Sequence, residues 1–145
     1  MPSVLPALPE QLPESMAQSI GLLRMPRDRF GYFSKLLSVS QERRPDNRPI
    51  GASCLTKPLR LARPSQLFVN VDDVSPSAAL DIALVDDAER PAPGYTSRVT
   101  TSSLKAPVQW PGQKMLPANT SFRIKVTWPA GVDNAKLYAM YVEQQ

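Results

Sequence analysis

Sixteen prolines are spread through the 145 residues of this chain, roughly twice the ordinary frequency. A proline inside a helix removes a backbone hydrogen bond and clashes with the preceding turn, so a chain punctuated this often does not build long helices. It suits short strands joined by turns. Between the prolines run strict alternations. In SFRIKVTW, Phe122, Ile124, Val126 and Trp128 alternate with Ser121, Arg123, Lys125 and Thr127, the pattern of a half-buried antiparallel strand with its charges in water. In QLFVNV, Leu67, Val69 and Val71 point one way while Phe68 and Asn70 point the other; in ALDIALV, Leu80, Ile82 and Leu84 share a face. The last run, AKLYAMYV, is apolar on both faces, with Leu137, Ala139 and Tyr141 opposite Tyr138, Met140 and Val142. It is expected to be central or covered on both sides. The turn formers DVSPSA, DDAERPAPG, WPGQK, LPANT and WPAGVDN separate these runs. About seven to nine short strands with polar turns predict an all-β sandwich or barrel, and the fold expected is a two-sheet antiparallel β-sandwich, jelly-roll-like. Leu67, Val69, Ile82, Leu84, Phe122, Ile124 and Val126 form its expected core.

The first half is less regular. Residues 1–19 carry Pro2, Pro6, Pro9 and Pro13 and read as a Pro-rich linker or disordered extension, with the sandwich spanning 20–145. The first ordered element is expected at Ile20. FGYFSKLLSV, residues 30–39, is expected as a strand, because its aromatic residues favour strand and Gly31 weakens a helix. A further strand is expected over residues 53–61, with Leu59 and Leu61 on one face and Pro58 marking an edge or a bulge. No apolar run approaches the roughly 20 residues that span a bilayer. The opening segment has no basic start and does not read as a signal peptide. Location is left open.

Composition removes several chemistries. The chain has no histidine, so the commonest general base and metal ligand is missing. Cys54 is the one cysteine; no internal disulfide can form, and in the run ASCLT it reads as a small buried side chain. Net charge is +4 overall. Ten Lys/Arg against five Asp/Glu up to Arg63 leave a balance of +5, and seven against eight beyond it leave −1. Arg43, Arg44, Arg48, Lys57, Arg60 and Arg63 make a basic region, read as a solvated loop and strand face, with no nucleic-acid partner expected. Gly-rich phosphate loops, nucleophile elbows and metal-ligand spacings are absent, so no cofactor and no metal is expected.

Two acid pairs, Asp72–Asp73 and Asp86–Asp87, are the candidates for acid–base or calcium chemistry. Each pair closes a strand and opens a turn, and neighbours in a strand point to opposite faces. Turn capping is the better reading. Five aromatic side chains, Tyr95, Trp110, Trp128, Tyr138 and Tyr141, are candidates for stacking on sugar rings. Core packing is favoured for the last three, and Trp110 and Tyr95, which border turns, are the candidate carbohydrate contacts.

The pieces CLTKPLRL, QLFVNVD, LDIALVDDAERPAPGYT, APVQWPG, SFRIKVTW and AKLYAMYV, in this order, resemble a C-terminal β-sandwich module of five-bladed β-propeller glycosidases, of the levanase/fructosidase-like and sialidase-like type. Thr56, Pro58 and Leu59 match its first piece and Leu67 to Asn70 its second. Pro91, Pro93, Gly94 and Tyr95 match a turn, Val108 and Trp110 a strand, and Leu137 and Tyr138 the last strand. MPRDRFGYFS is similar to its first strand, with Asp28 and Phe30 in register. Ala88 departs from the module, which carries glycine there. No propeller is read before the module, and the family's catalytic carboxylates belong to the propeller, so none is carried over. The resemblance implies a non-catalytic accessory domain that supports or binds a partner, a β-propeller glycosidase domain or a carbohydrate, in a family often secreted. The alternatives are an independent carbohydrate-binding module using Trp110 and Tyr95, and a fragment of a glycoside hydrolase.

Overall fold

A computed structural model of the chain describes residues 26–35 and 51–144. The linker expected over 1–19, the element expected at Ile20, residues 36–39 of the 30–39 run, and Arg43, Arg44 and Arg48 lie outside the described residues. Eight strands follow in chain order: β1 (Ala52–Leu55), β2 (Leu59–Arg60), β3 (Ser65–Asp72), β4 (Leu80–Val85), β5 (Pro91–Val99), β6 (Ser103–Pro107), β7 (Ser121–Trp128) and β8 (Lys136–Gln144). One 3₁₀ turn, Pro111–Gln113, lies between β6 and β7. No helix among the described residues is long and apolar enough to cross a membrane.

The strands form two antiparallel sheets, β1-β7-β4-β5 with β2 also on β7, and β6-β3-β8. β1 pairs with Lys125 to Trp128 and β2 with Ser121 and Phe122, so both lie along one edge of β7. They are the strand expected over 53–61, interrupted between Thr56 and Pro58. Leu55 faces Lys125 and Leu59 faces Phe122, which leaves three residues on one side against two on the other. That is a bulge placed where Pro58 has no N–H to give. Thr56 bridges the break: its N–H donates to the Ile124 carbonyl at 3.0 Å and its Oγ1 accepts the Ile124 N–H at 3.0 Å.

The alternating side chains meet between the sheets. All seven expected core residues are buried, joined by Val71, Leu80, Val108, Trp110, Leu116, Trp128 and Leu137. Each large apolar side chain buried there contributes about 1.5–3 kcal/mol of transfer free energy. On the outer face of the larger sheet the charges face water in pairs, Arg98 of β5 with Asp81 of β4 at 3.3 Å and Lys125 of β7 with Glu89 of the β4–β5 turn at 3.3 Å.

Residues 26–35 are not the regular strand that their aromatic content suggests. Among them only Phe33 pairs, exchanging backbone hydrogen bonds of 2.8 and 3.0 Å with Leu137 on the free edge of β8. The rest is a strap over the outer face of the smaller sheet, and its position is set by Arg29. That guanidinium donates to Asn70 Oδ1 at 3.1 Å, Asp72 Oδ2 at 2.6 Å and the Val71 carbonyl at 3.2 Å, and lies 4.6 Å from the Tyr138 ring centroid. Asn70, fully buried, returns a bond from Nδ2 to the Arg27 carbonyl at 2.9 Å.

β8 is therefore an edge strand and not a central one, but the strap covers its second face. Its alternation also differs from the simple reading. Asn70 faces Ala139 and Val71 faces Leu137, so Tyr138 is an inserted residue. The bulge puts Leu137 on the core face with Met140, while Ala139 and Tyr141 turn outward beneath the strap. Counting the Phe33 bridge as the first strand, the pairs nest: strap with β8, β1 and β2 with β7, β3 with β6, β4 with β5. Nested antiparallel pairs shared between two sheets are the wrapping of a jelly roll.

Candidate functional site

The corner that carries Tyr95 and Trp110 is built by β5 and the 3₁₀ turn. Gly94, at φ 76, turns the chain in the left-handed region that glycine adopts without strain. Tyr95 then packs back on the core and donates its hydroxyl to the Met115 carbonyl at 2.9 Å. Trp110 meets it edge-on, with ring centroids 5.6 Å apart. The indole is 3% exposed, and Val108 beside it is buried too. Lys114 Nζ sits 5.2 Å from the Tyr95 ring centroid. The two rings thus come together, but Trp110 offers no open face for a sugar, and the Tyr95 hydroxyl is committed to the Met115 carbonyl. Trp128 is buried and donates from Nε1 to the Ala135 carbonyl at 2.8 Å. Tyr138 and Tyr141 are half-buried under the strap.

Asp72, Asp73 and Asp86 of the acid pairs are turn and framework groups. Asp86 Oδ1 accepts the N–H groups of Ala88 and Arg90, each at 2.9 Å, and its Oδ2 accepts Arg90 Nε at 2.8 Å. These contacts, the Arg90 N–H foremost, hold its carboxyl below the usual range. The left-handed residue of this turn is Glu89, φ 59, rather than Ala88. An alanine in place of glycine at 88 therefore causes no strain. Asp72 accepts the Asp73 N–H at 2.9 Å and the Arg29 guanidinium, and its carboxyl is likewise held low, chiefly by the Asp73 N–H. Asp73, at φ 52, takes Lys136 Nζ at 2.6 Å. No three His, Cys, Asp or Glu side chains gather as metal ligands among the described residues. Cys54 is half-buried at the sheet edge, and burial pushes its thiol up. Lys57, Arg60 and Arg63 are exposed.

A site that the sequence did not announce lies at the end of the sandwich where the strap, the turn after β3 and the turn before β8 meet. This open cleft of about 590 Å³ is lined by Tyr32, Ser34, Lys35, Asp73, Asp133 and Lys136 among others. Lys35, 4% exposed, forms its floor with Asp133, the Nζ–Oδ1 distance being 3.1 Å. Neither atom makes a hydrogen bond among the described residues. At the rim, Lys136 reaches Asp73 and lies 5.4 Å from the Tyr32 ring centroid. The hydrogen bond to Asp73 is the main cause that raises the Lys136 ammonium above its ordinary value. Sixty-three residues separate Lys136 from Asp73, so no local motif could have pointed to this grouping.

Compared with protein-family models, with curated proteins and with solved structures, the chain finds no match in any of the three.

Proposed function

We propose that the chain is a non-catalytic accessory β-sandwich, related to the C-terminal module of propeller glycosidases, that supports or binds a partner domain. The observation that carries this reading is where its chemically capable side chains are spent. Trp110 is in the core, the Tyr95 hydroxyl is held by the Met115 carbonyl, and Asp86 and Asp72 bind backbone amides and arginines of their own framework. What faces solvent instead is apolar: Phe30 is 84% and Phe33 64% exposed. Both ride on a strap that Arg29 and Asn70 fix in place, so the partner meets a preorganised aromatic surface. The burial of Trp110 speaks against an independent carbohydrate-binding module built on that residue.

The reading is tested by mixing the purified chain with a purified five-bladed propeller domain of the levanase type and measuring sedimentation. A complex that the double substitution Phe30→Ser and Phe33→Ser weakens is the expected result. A propeller that never associates, or a complex indifferent to both substitutions, overturns it.

A further inference from the structure

The cleft floored by Lys35 and Asp133 has chemistry that the accessory role does not use. Its charged groups balance: Lys35 and Lys136 against Asp73 and Asp133. An anion entering it is attracted by two ammonium groups and repelled by two carboxylates at similar range, and a cation meets the reverse. A neutral ligand with groups that both donate and accept suits all four. Ammonium groups only donate and carboxylates only accept, so an O–H group, of water or of a ligand hydroxyl that displaces it, satisfies one of each at once.

The floor is where such a group is wanted. Lys35 Nζ and Asp133 Oδ1 are both buried, and neither has a hydrogen-bond partner among the described residues. Buried polar atoms left in this state are rare and costly. One hydroxyl oxygen at the apex of a triangle over the 3.1 Å pair accepts from Nζ and donates to Oδ1 at ordinary lengths. Both atoms are covered, so a ligand hydroxyl reaches them only when the lysine stem moves aside. Above the floor, Asp133, Asp73 and Lys136 remain a third to a half accessible at their side chains. Tyr32 stands at the mouth, 54% exposed, its ring steadied by Tyr138 at 5.5 Å between centroids. An aromatic face beside alternating donors and acceptors matches the two surfaces of a sugar ring, one made of C–H groups and one of hydroxyls.

We propose that this cleft binds a neutral polyhydroxylated ligand, a sugar ring, with hydroxyls against Lys35, Asp133, Asp73 and Lys136 and the ring against Tyr32. The site is separate from Trp110 and Tyr95. It does not depend on the accessory role: a chain that binds no propeller can still bind a sugar here, and the reverse also holds.

The test is an amide NMR titration of the full chain with glucose, galactose, fructose and sucrose, each to about 20 mM so that a millimolar site fills. Shift changes are expected at 32–35, 73–75 and 133–136 with at least one of them. Tyr32→Ala, which removes an exposed ring and leaves the fold intact, is expected to weaken binding by a few-fold to about tenfold. Asp133→Asn weakens it as well, and a matching melting profile shows that the variant is folded. The proposal is overturned if none of these sugars shifts the cleft amides. It is equally overturned if the shifts cluster at Tyr95 and Trp110, if they survive Tyr32→Ala and Asp133→Asn unchanged, or if inorganic phosphate is the solute that binds.

Discussion

Two buried tryptophans with similar exposure sit in different hydrogen-bonding states. Trp128 donates from Nε1 to the Ala135 carbonyl, whereas Trp110 Nε1 has no partner among the described residues. Replacing either by phenylalanine removes similar apolar volume. Only Trp128→Phe strands a buried carbonyl, a penalty of about 1–3 kcal/mol. Urea denaturation is therefore expected to place Trp128→Phe below Trp110→Phe in stability by about that margin. Equal losses would show that the indole N–H of Trp128 contributes nothing. Trp128 was legible as core from sequence, because it continues the alternation of Phe122, Ile124 and Val126; Trp110, which borders a turn, read as a candidate sugar contact, although PVQW puts it on one face with Val108. The state of their N–H groups was not legible, because it depends on a carbonyl from the turn before β8 and on the packing around β5.

Strands whose alternation is unbroken, β3, β4 and β7, lie where the sequence places them. The elements that differ do so through contacts between distant residues. β8 carries an inserted Tyr138 that moves Ala139 and Tyr141 to the outer face, and no residue type in AKLYAMYV marks that insertion. The strap depends on Arg29 meeting Asn70 and Asp72, more than forty residues away in the chain. In sequence those three residues are an ordinary arginine and the polar positions of an alternating strand. Asn70→Ala is expected to release the strap, since it leaves the Arg27 carbonyl and one arginine donor without their partner at about 1–3 kcal/mol. Limited trypsin digestion should then cut at Arg27 and Arg29 well before the sandwich unfolds. Digestion no faster than in the unaltered chain would show that the strap is held by other contacts.

At the scale of the molecule, the ionic framework sets a range of pH. Asp72 and Asp86 ionise more readily in the fold than in the unfolded chain. Their contribution is present above the unfolded carboxylate value of about 4 and is lost as pH falls through their lower folded values. The Lys136 ammonium is raised chiefly by its bond to Asp73, and the Tyr141 phenol chiefly by its bond to Asp28. They stabilise below their unfolded values, about 10, and lose that contribution as pH rises past the raised ones. With no histidine in the chain, the melting temperature is expected to be nearly flat from about pH 5 to 9 and to fall on either side. A step near pH 6.5 would contradict this assignment.

The all-β character followed from the alternation and the prolines, while the order in which the strands nest and the cleft at the end did not, since Lys35, Asp73 and Asp133 converge only when the sandwich closes. The central proposal is that the chain does not hydrolyse glycosides by itself, and it rests on Asp72, Asp73 and Asp86 being held by their own framework. It is tested most directly by incubating the purified chain with fructans, sialosides and aryl glycosides and measuring released sugar. No release above the buffer control is the predicted result. Release that disappears in Asp86→Asn or Asp87→Asn would contradict the claim and make this turn a catalytic site.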